Sequence, residues 1–164
     1  MSYMATTYPQ LELDVQLCLP LYAASRAITR RYGDLLAGTG LTYPQYLTML
    51  ALWSDAPVPV GDIGARLHLD TGTLTPLLKR LEQAGLVARR RDPADERRVL
   101  VEPTEAGWAL RERVTEVPCE LGRSLRLTAD EASQLRQTLY RMIDSLDTAA
   151  ELPAGFMTAP AFRY

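Results

Sequence analysis

Residues 69–103, LDTGTLTPLLKRLEQAGLVARRRDPADERRVLVEP, decide the fold because they place a helix directly before a hairpin. Leucines in the first half recur at the spacing of one helical face: Leu74, Leu77, Leu78 and Leu81. Gly85 stands where a glycine commonly follows the last helical turn. Asp70 or Thr73 can cap the start, and Pro76 favours Thr73 because proline fits best in the first turn. This half therefore predicts a helix that begins after Thr73 and ends before Gly85.

The second half of the same stretch has the pattern of two paired strands. The segments LVARRRD and RRVLVEP are separated by PADE. Val99 and Val101 alternate with their neighbours, as in a strand with one buried face. Pro93 and Asp95 supply the chemistry of a turn. The pattern predicts a two-stranded hairpin with an arginine-rich tip.

A second short helix is predicted just before this stretch, over residues 60–69. Two short helices joined by a few residues, with Thr, Lys and Arg on the free face of the second, are typical of a helix-turn-helix. With the hairpin they predict a winged helix. Residues 61–100 carry eight Arg or Lys against six acids, although the chain has a net charge of −2. Positive charge is thus modestly concentrated in this part.

Helices are predicted on the N-terminal side of the winged helix as well. Apolar periodicity predicts the first over residues 14–36, before the GTG at 38–40. Pro20 requires this helix to start nearby or to kink. Thr42 with Gln45 has the pattern of a capping box, which opens a second helix that reaches about Trp53.

Helices are also predicted on the C-terminal side of the winged helix. Thr104 begins a predicted helix that is interrupted at Pro118. Thr128 and Glu131 form a second capping-box pattern, which opens a last amphipathic helix. The flanking helices expose apolar stripes, and a homodimer is the simplest way to bury them. Such a dimer would set two recognition helices about one DNA turn, ~34 Å, apart.

The predicted fold class is mainly α with a small β-hairpin wing: a winged helix-turn-helix whose N- and C-terminal helices form a dimerisation domain. The predicted segments are an N-terminal extension (1–13), N-terminal helices (14–56), a winged helix-turn-helix DNA-binding region (57–103), C-terminal dimerisation helices (104–148) and a loose tail (149–164).

Composition narrows the class of protein further. Apolar residues make up 47% of the 164 residues, and no run approaches the ~18 apolar residues of a membrane span. The N-terminus lacks the pattern of a secretory signal, which predicts a cytoplasmic protein whose two cysteines are reduced at rest. The single histidine, His68, has no partners at metal-ligand spacing, so we interpret it as structural and predict neither metal nor cofactor.

The order of these segments resembles the MarR family of dimeric winged-helix repressors, and within it the organic-hydroperoxide sensors of the OhrR type. The similarity covers about residues 11–146. Its most specific pieces are LTYPQYL, LDTGTLTPLLKRLE, DERR in the hairpin, and LC followed by LYAAS. The resemblance implies a homodimeric repressor that binds a pseudo-palindromic operator in double-stranded DNA. It further implies that an organic hydroperoxide inactivates this repressor and that the regulated gene encodes a thiol peroxidase.

The same resemblance assigns a redox site. It implies that Cys18 is the peroxide sensor and that Tyr32 and Tyr43 donate hydrogen bonds to its sulfur. Some members of the subfamily close a disulfide between the sensor of one subunit and a C-terminal cysteine of the other, which makes Cys119 a candidate resolving thiol. From the residues alone, Cys18 could instead be a small packing residue, and Cys119 a small residue at a helix break.

The DNA-contacting residues are predicted on the second helix and the hairpin. Wing arginines are expected at phosphates and in the minor groove: Arg89, Arg90, Arg91, Arg97 and Arg98. The resemblance implies that Asp95 orients Arg97. Lys79 and Arg80 are candidate phosphate contacts, while Thr71, Thr73 and Thr75 could reach base edges or phosphates.

The sequence is also consistent with two other functions. One is a MarR-type repressor tuned by a small aromatic ligand, with Cys18 incidental. The other is a cysteine peroxidase that uses Cys18 and Cys119, although the chain lacks the alternating strands and helices of a thioredoxin-like fold. Four further aromatic residues are assigned as follows: Trp53 and Trp108 are predicted in the core or at the dimer interface, and Tyr22 and Tyr46 in the core or in the sensor pocket.

Overall fold

A computed structural model describes residues 8–150 of the chain, without the side chains of residues 10, 149 and 150. Two 3₁₀ turns, Pro9–Leu11 and Leu13–Val15, precede the first helix. The elements that follow are α1 (Cys18–Leu35), α2 (Tyr43–Asp55), β1 (Val58–Pro59), α3 (Val60–Leu67), α4 (Thr71–Gln83), β2 (Val87–Asp92), β3 (Asp95–Pro103), α5 (Glu105–Arg113), α6 (Val117–Leu125) and α7 (Ala129–Ala150). They form two compact units: residues 25–121, called here the winged unit, and the described parts of residues 1–24 and 122–164, called here the terminal unit.

The sheet of the winged unit contains the predicted hairpin and one further strand. Strands β2 and β3 pair antiparallel, with Val87 opposite Pro103 and Arg91 opposite Val99. The strand β1 pairs with the other edge of β3, so the strand order is β1-β3-β2. The hairpin prediction is confirmed, and β1 is a third strand that the sequence did not predict. A two-residue strand has no alternation that sequence inspection can detect.

The recognition helix α4 begins earlier than expected. Asp70, not Thr73, is its N-cap, and the Asp70 carboxylate accepts hydrogen bonds from the Thr73 N–H at 2.8 Å and from the Thr73 hydroxyl at 2.9 Å. Pro76 therefore lies inside the helix, at its sixth residue. The missing N–H of Pro76 removes only the bond to the carbonyl of Gly72, near the helix start. The choice of Thr73 was wrong because the carboxylate cap outweighs the loss of that one bond.

The end of α4 is fixed as the sequence predicted. Gly85 adopts a left-handed conformation with φ of +72°, which a residue with a side chain disfavours. Its N–H bonds to the carbonyl of Glu82, and the N–H of Leu86 bonds to the carbonyl of Leu81, the pair of bonds of a Schellman motif. Thr104 donates from its N–H to Leu86 and from its hydroxyl to the Gly85 carbonyl. Recognition helix, hairpin and α5 thus meet at this turn.

The core of the winged unit lies between α2, α4 and the sheet. Apolar residues on α2 and α4 are nearly inaccessible: Met49, Leu52, Leu74, Leu78 and Leu81. Trp53 is buried, as predicted, and its indole N–H donates to the carbonyl of Gly107 at 2.9 Å. A Cβ on Gly107 would lie 2.0 Å from the carbonyl oxygen of Leu86. Glycine at this position lets α5 pack against the turn after α4.

Two predicted helix boundaries need correction. The helix predicted over residues 14–36 begins at Cys18, and Pro20 is its third residue, where the missing N–H would have had no helical partner. The helix starting after Thr104 ends at Arg113, before Pro118, and a separate helix α6 begins at Val117. Pro118 therefore lies in the first turn of a new helix, where proline is tolerated, and does not interrupt an old one.

The terminal unit contains the start of α1, the end of α6 and the helix α7. The N-terminus of α7 has the predicted capping box, in which the Thr128 N–H donates to Glu131 at 2.8 Å and the Glu131 N–H donates to Thr128 at 3.2 Å. The first two residues of the predicted tail are helical, and residues 151–164 lie outside the described residues. Large apolar side chains of this unit are exposed: Leu11, Leu13, Leu17, Leu125, Leu127, Leu135, Tyr140 and Leu146. None of the helices within residues 8–150 combines the length and apolar character needed to cross a membrane.

Candidate nucleic-acid interface and thiol site

The exposed face of α4 carries hydroxyls at its start and cations in its second half. Thr71 and Thr75 are exposed, while the hydroxyl of Thr73 is already bonded to the Asp70 cap. Lys79 and Arg80 are exposed and form no ion pair with the residues that the structure describes. These two cations are therefore available to phosphate oxygens.

The wing arginines differ in whether their side chains already contact a partner within the chain. Four have intramolecular partners: Arg89 with Glu82, Arg90 with Glu102, Arg91 with the carbonyl of Glu96, and Arg98 with Asp62. The Arg90 and Arg98 ion pairs are long, at 3.3 Å each, and all four arginines are exposed. Exposed pairs of this kind are weak, so phosphate can compete for these side chains.

Arg97 is distinct among these arginines. Its side chain has no hydrogen-bond or ion-pair partner within the described part of the chain. Its backbone N–H donates to Asp95 at 3.1 Å, and the Ala94 N–H donates to Asp92 at 2.9 Å. Asp95 thus contacts Arg97 through the backbone, which fixes the hairpin tip and leaves the guanidinium free.

The recognition helix and the wing border one cleft of about 440 Å³. Charged and hydroxyl side chains from three elements line it: Asp62 of α3, Thr75 of α4, and Arg89, Arg97 and Arg98 of the hairpin. The fold therefore brings Thr75 of α4 and three of the wing arginines to a shared, mainly cationic cleft.

The ion pair between Glu82 and Arg89 joins α4 to β2. Hydrogen bonding from Arg89 lowers the pKa of Glu82, and the same bond raises the pKa of Arg89. Each of these pKa shifts favours the charged form of its group. Sequence inspection missed Glu82 because the two residues lie seven positions apart across the helix end, a spacing that no regular element pattern marks.

The two tyrosines predicted at the sensor stack on each other in the winged unit. The ring centroids of Tyr32 (α1) and Tyr43 (α2) are 4.0 Å apart, with 12° between the ring planes. Burial, and then the neighbouring Tyr43 and Tyr46, raise the pKa of Tyr32 to about 12, and burial raises that of Tyr43. Both phenols are protonated at neutral pH and can donate hydrogen bonds.

A third tyrosine belongs to the same cluster. The ring of Tyr46 lies 5.6 Å from that of Tyr32, tilted by 41°, and only 1% of the residue is exposed. Tyr46 was predicted in the core or in the sensor pocket, and its buried ring confirms the core assignment. In TYPQY the two tyrosines are three positions apart at a helix start, and this spacing was the available sign that both lie on one face of α2.

Both thiols are free and exposed. Cys18 is the first residue of α1 and belongs to the terminal unit. Cys119 is the third residue of α6 and belongs to the winged unit, as do Tyr32 and Tyr43. The alternative that Cys18 is a packing residue does not hold within this chain, because its side chain is not buried.

Three other predicted residues can now be placed. Tyr22 is 61% exposed, so its assignment to the core was wrong. Trp108 is 42% exposed and is likewise absent from the core, while a place at a dimer interface stays a prediction. His68 ends α3 in a left-handed conformation with φ of +51°, a structural position.

A helix-turn-helix whose second helix and hairpin present hydroxyls and arginines on one surface defines a winged-helix DNA-binding protein. Comparison with known proteins agrees. Residues 41–99 match the model of the MarR family. The chain is 41% identical to the organic hydroperoxide resistance transcriptional regulator of Bacillus subtilis (strain 168), over 87% of this chain and 97% of that protein. It is 46% identical to the HTH-type transcriptional regulator TtmR of Methylorubrum extorquens (strain PA1), over 94% of this chain and 80% of that protein.

Solved structures of AbfR are also similar. Reduced AbfR bound to DNA is 37% identical with a TM-score of 0.69, over 84% of this chain and 96% of that one. A disulfide-formed AbfR is 37% identical with a TM-score of 0.60, and the match covers 82% of this chain and 94% of that one. The chain belongs to the MarR family and is a DNA-binding transcriptional regulator. Its relatives and fold are those of regulators and not of enzymes, which removes the cysteine peroxidase alternative.

Proposed function

We propose that this regulator is a homodimeric repressor that organic hydroperoxides inactivate by oxidising Cys18. The observation that carries the proposal is the placement of Cys18, which is exposed to an incoming oxidant at the first residue of α1. The identity to a regulator of organic hydroperoxide resistance supports the choice of oxidant. The regulated gene is then one that removes peroxides.

The proposed chemistry starts from the thiolate, which is the reactive form of cysteine. The Cys18 sulfur attacks the terminal oxygen of ROOH, an S–O bond forms and the O–O bond breaks, which leaves Cys18 sulfenic acid and an alkoxide that takes up a proton. A second thiol then displaces the sulfenic hydroxyl as water and forms a disulfide. The second thiol is the partner's Cys119 or a small cellular thiol. AbfR, for comparison, has been solved in a reduced DNA-bound form and in a disulfide form.

In the reduced dimer, each α4 enters a major groove of a pseudo-palindromic operator and each wing reaches the flanking minor groove. Thr71 and Thr75 face bases or phosphates, Lys79 and Arg80 bind phosphates, and Arg97 enters the minor groove. The remaining wing arginines, Arg89, Arg90, Arg91 and Arg98, contact phosphates after exchanging their weak intramolecular partners. The free side chain of Arg97 supports its assignment.

The decisive test is operator binding by reduced wild type and Cys18→Ser protein, each before and after stoichiometric cumene hydroperoxide. We expect the oxidant to release wild type from DNA and to leave Cys18→Ser bound, because serine forms no sulfenic acid. Release of both proteins by the peroxide would contradict the proposal. Release of both by an aromatic carboxylate, with no effect of peroxide, would support a ligand-responsive repressor instead.

Non-reducing electrophoresis of the same samples tests the role of Cys119. We expect a covalent dimer in oxidised wild type that is absent in Cys119→Ser, since bridged cysteines must bring their Cα atoms within ~7 Å. A Cys119→Ser protein that leaves DNA normally while it carries a mixed disulfide would show that Cys119 is dispensable and that a small thiol completes the reaction.

A further inference from the structure

The cleft between α3, α4 and the wing has one carboxylate beside its three arginines. Asp62 of α3 lines this cleft together with Arg89, Arg97 and Arg98. The Arg98 guanidinium donates to the Asp62 carboxylate at 3.3 Å. The side chain of Arg98 is 48% exposed and that of Asp62 is 62% exposed, so both remain accessible to an incoming ligand. Asp62 thus places a negative charge on the surface that we propose binds DNA.

The stability of the fold does not explain this ion pair. An exposed pair contributes little to folding, because solvent screens both charges. The strand that carries Arg98, β3, is held by backbone hydrogen bonds on both edges, to β2 along the hairpin and to β1 at Val58 and Pro59. These contacts fix the base of the wing independently of Asp62. The carboxylate therefore acts mainly on whatever else approaches Arg98.

We propose that Asp62 is a built-in competitor of DNA phosphate, which holds Arg98 in the unbound protein and lowers the affinity for DNA of any sequence. This inference rests on the proposed contact of the wing with DNA. On binding, the Arg98 guanidinium leaves the Asp62 carboxylate for a phosphate oxygen. The affinity falls for two reasons: an ion pair is lost, and the carboxylate that stays behind repels the phosphates. Phosphate contacts carry no sequence information, so an operator and a random duplex are affected alike.

Among the acids that pair with wing arginines, Asp62 is the one whose own side chain lines the cleft. Glu82, the partner of Arg89, and Glu102, the partner of Arg90, do not line it. A phosphate that enters the cleft therefore meets the carboxylate of Asp62 directly. The effect of Asp62 should then include repulsion as well as competition for its arginine.

The test is a double-mutant cycle of the full chain: wild type, Asp62→Asn, Arg98→Ala and the variant with both changes. Fluorescence anisotropy measures binding to a labelled duplex of random sequence at several salt concentrations. Asparagine keeps the shape of the aspartate side chain and removes its charge. Asp34→Asn, the same change at an exposed acid of α1 that does not line the cleft, is the matched control for net charge. Circular dichroism confirms that each variant is folded.

We expect Asp62→Asn to tighten binding by about two- to fivefold at low salt, and more than Asp34→Asn does. The fall of log K with log salt should become steeper by up to about 0.9, because Arg98 then neutralises a phosphate without leaving a bare carboxylate beside it. In the Arg98→Ala background the gain from Asp62→Asn should be smaller, since the ion pair is already absent and only the repulsion is relieved.

Three results overturn the role of Asp62: no gain in Asp62→Asn, a gain of the same size with and without Arg98, or weaker binding. Weaker binding would mean that the pair positions the wing for DNA. A different result overturns the proposed wing contact itself. If Arg98→Ala leaves binding unchanged in the Asp62→Asn background, Arg98 does not contact DNA even when it has no carboxylate to leave.

Discussion

At the scale of single residues, most arginines of the surface proposed to face DNA already have intramolecular partners. Arg89, Arg90 and Arg98 each lie against a carboxylate, and Arg91 against a carbonyl. A phosphate must displace these partners, so each such arginine contributes only the difference between two interactions. Arg97 has no side-chain partner to lose among the described residues, so we expect its full interaction with DNA to add to the affinity.

Arg97→Ala should therefore weaken operator binding more than Arg90→Ala, its matched control on the same hairpin. If Arg97 neutralises one phosphate, its loss also reduces the slope of log K against log salt by about 0.9. Fluorescence anisotropy with an operator duplex over a range of salt concentrations measures both quantities. Equal losses in the two variants would mean that the intramolecular partners do not matter.

The cap of α4 predicts a dependence of stability on pH. Hydrogen bonds from Thr73 lower the pKa of Asp70 from its ordinary 3.8. A carboxyl with a lowered folded-state pKa stabilises the fold above its unfolded pKa, and this contribution is lost as the pH falls through the folded pKa. Asp70→Ala should thus lower the melting temperature at neutral pH, and the difference from wild type should shrink below pH 3.8.

Thermal melts by circular dichroism between neutral and strongly acidic pH check this expectation. Asp70→Asn, which keeps an acceptor at the N-cap without the charge, should fall between wild type and Asp70→Ala. A difference between wild type and Asp70→Ala that persists unchanged in acid would show that the charge of Asp70 has no part in the cap.

At the scale of elements, the parts of the fold marked by periodicity or capping could be predicted. The hairpin, the capping boxes of α2 and α7, and the glycine after α4 all occur as expected. Their signals are local, because a cap or a turn is formed by residues within five positions of each other. The start of α4 was misplaced because two local rules conflict there, and the rule for proline was given more weight than the carboxylate of Asp70.

What could not be predicted depends on contacts between distant segments. The strand β1 exists only because two residues pair with β3, about forty positions further along the chain. The ion pair of Arg98 with Asp62 and the stacking of Tyr32 on Tyr43 likewise join separate elements and could not be predicted from local patterns. The resemblance named both tyrosines, but neither the stack nor the place of Tyr46 beside it has a sequence pattern of its own.

The packing of α5 against the turn after α4 depends on the missing side chain at Gly107. Gly107→Ala would place a Cβ 2.0 Å from the Leu86 carbonyl, and the helix must then shift. We expect a loss of about 3 kcal/mol in the free energy of unfolding. Gly33→Ala is the control, since a Cβ on this glycine of α1 has nothing within 4 Å; it should be neutral or stabilise by about 0.5–1 kcal/mol.

Urea denaturation followed by circular dichroism compares these two variants with wild type. The indole of Trp53, which donates to Gly107, provides a second probe when Trp108 is replaced by Phe in every variant, because the remaining tryptophan fluorescence then reports on this contact. A Gly107→Ala protein as stable as wild type would mean that α5 can move away from the turn at little cost.

At the scale of the whole molecule, the exposed apolar side chains of the terminal unit are the main argument for a dimer. Leu135 and Leu146 of α7 are 48% and 64% exposed in a single chain. Burial of one such leucine contributes about 1.5–3 kcal/mol. Dimerisation is also typical of the family, and a pseudo-palindromic operator requires two recognition helices.

Leu135→Glu or Leu146→Glu should therefore weaken dimerisation by at least about tenfold. Gln137→Glu, which adds the same charge at an exposed polar position of α7, is the matched control and should leave the dimer intact. Sedimentation velocity over a range of concentrations measures the association. A monomeric wild-type protein that binds operator as tightly as the proposed dimer would contradict this arrangement.

The hydrogen bonds at the turn of Gly85 and Leu86 limit how parts of the winged unit can open. The Leu86 N–H bonds back to Leu81, its carbonyl accepts from Thr104, and the Thr104 hydroxyl bonds to Gly85. At this turn the end of α4, the start of the hairpin and the start of α5 therefore share hydrogen bonds, and opening one of these ends breaks bonds of another. The Leu86 amide proton should then exchange with deuterated solvent only when the entire unit unfolds. We expect oxidation to release the proposed DNA-contacting surface from its operator by moving that surface as one piece, without local melting at this turn.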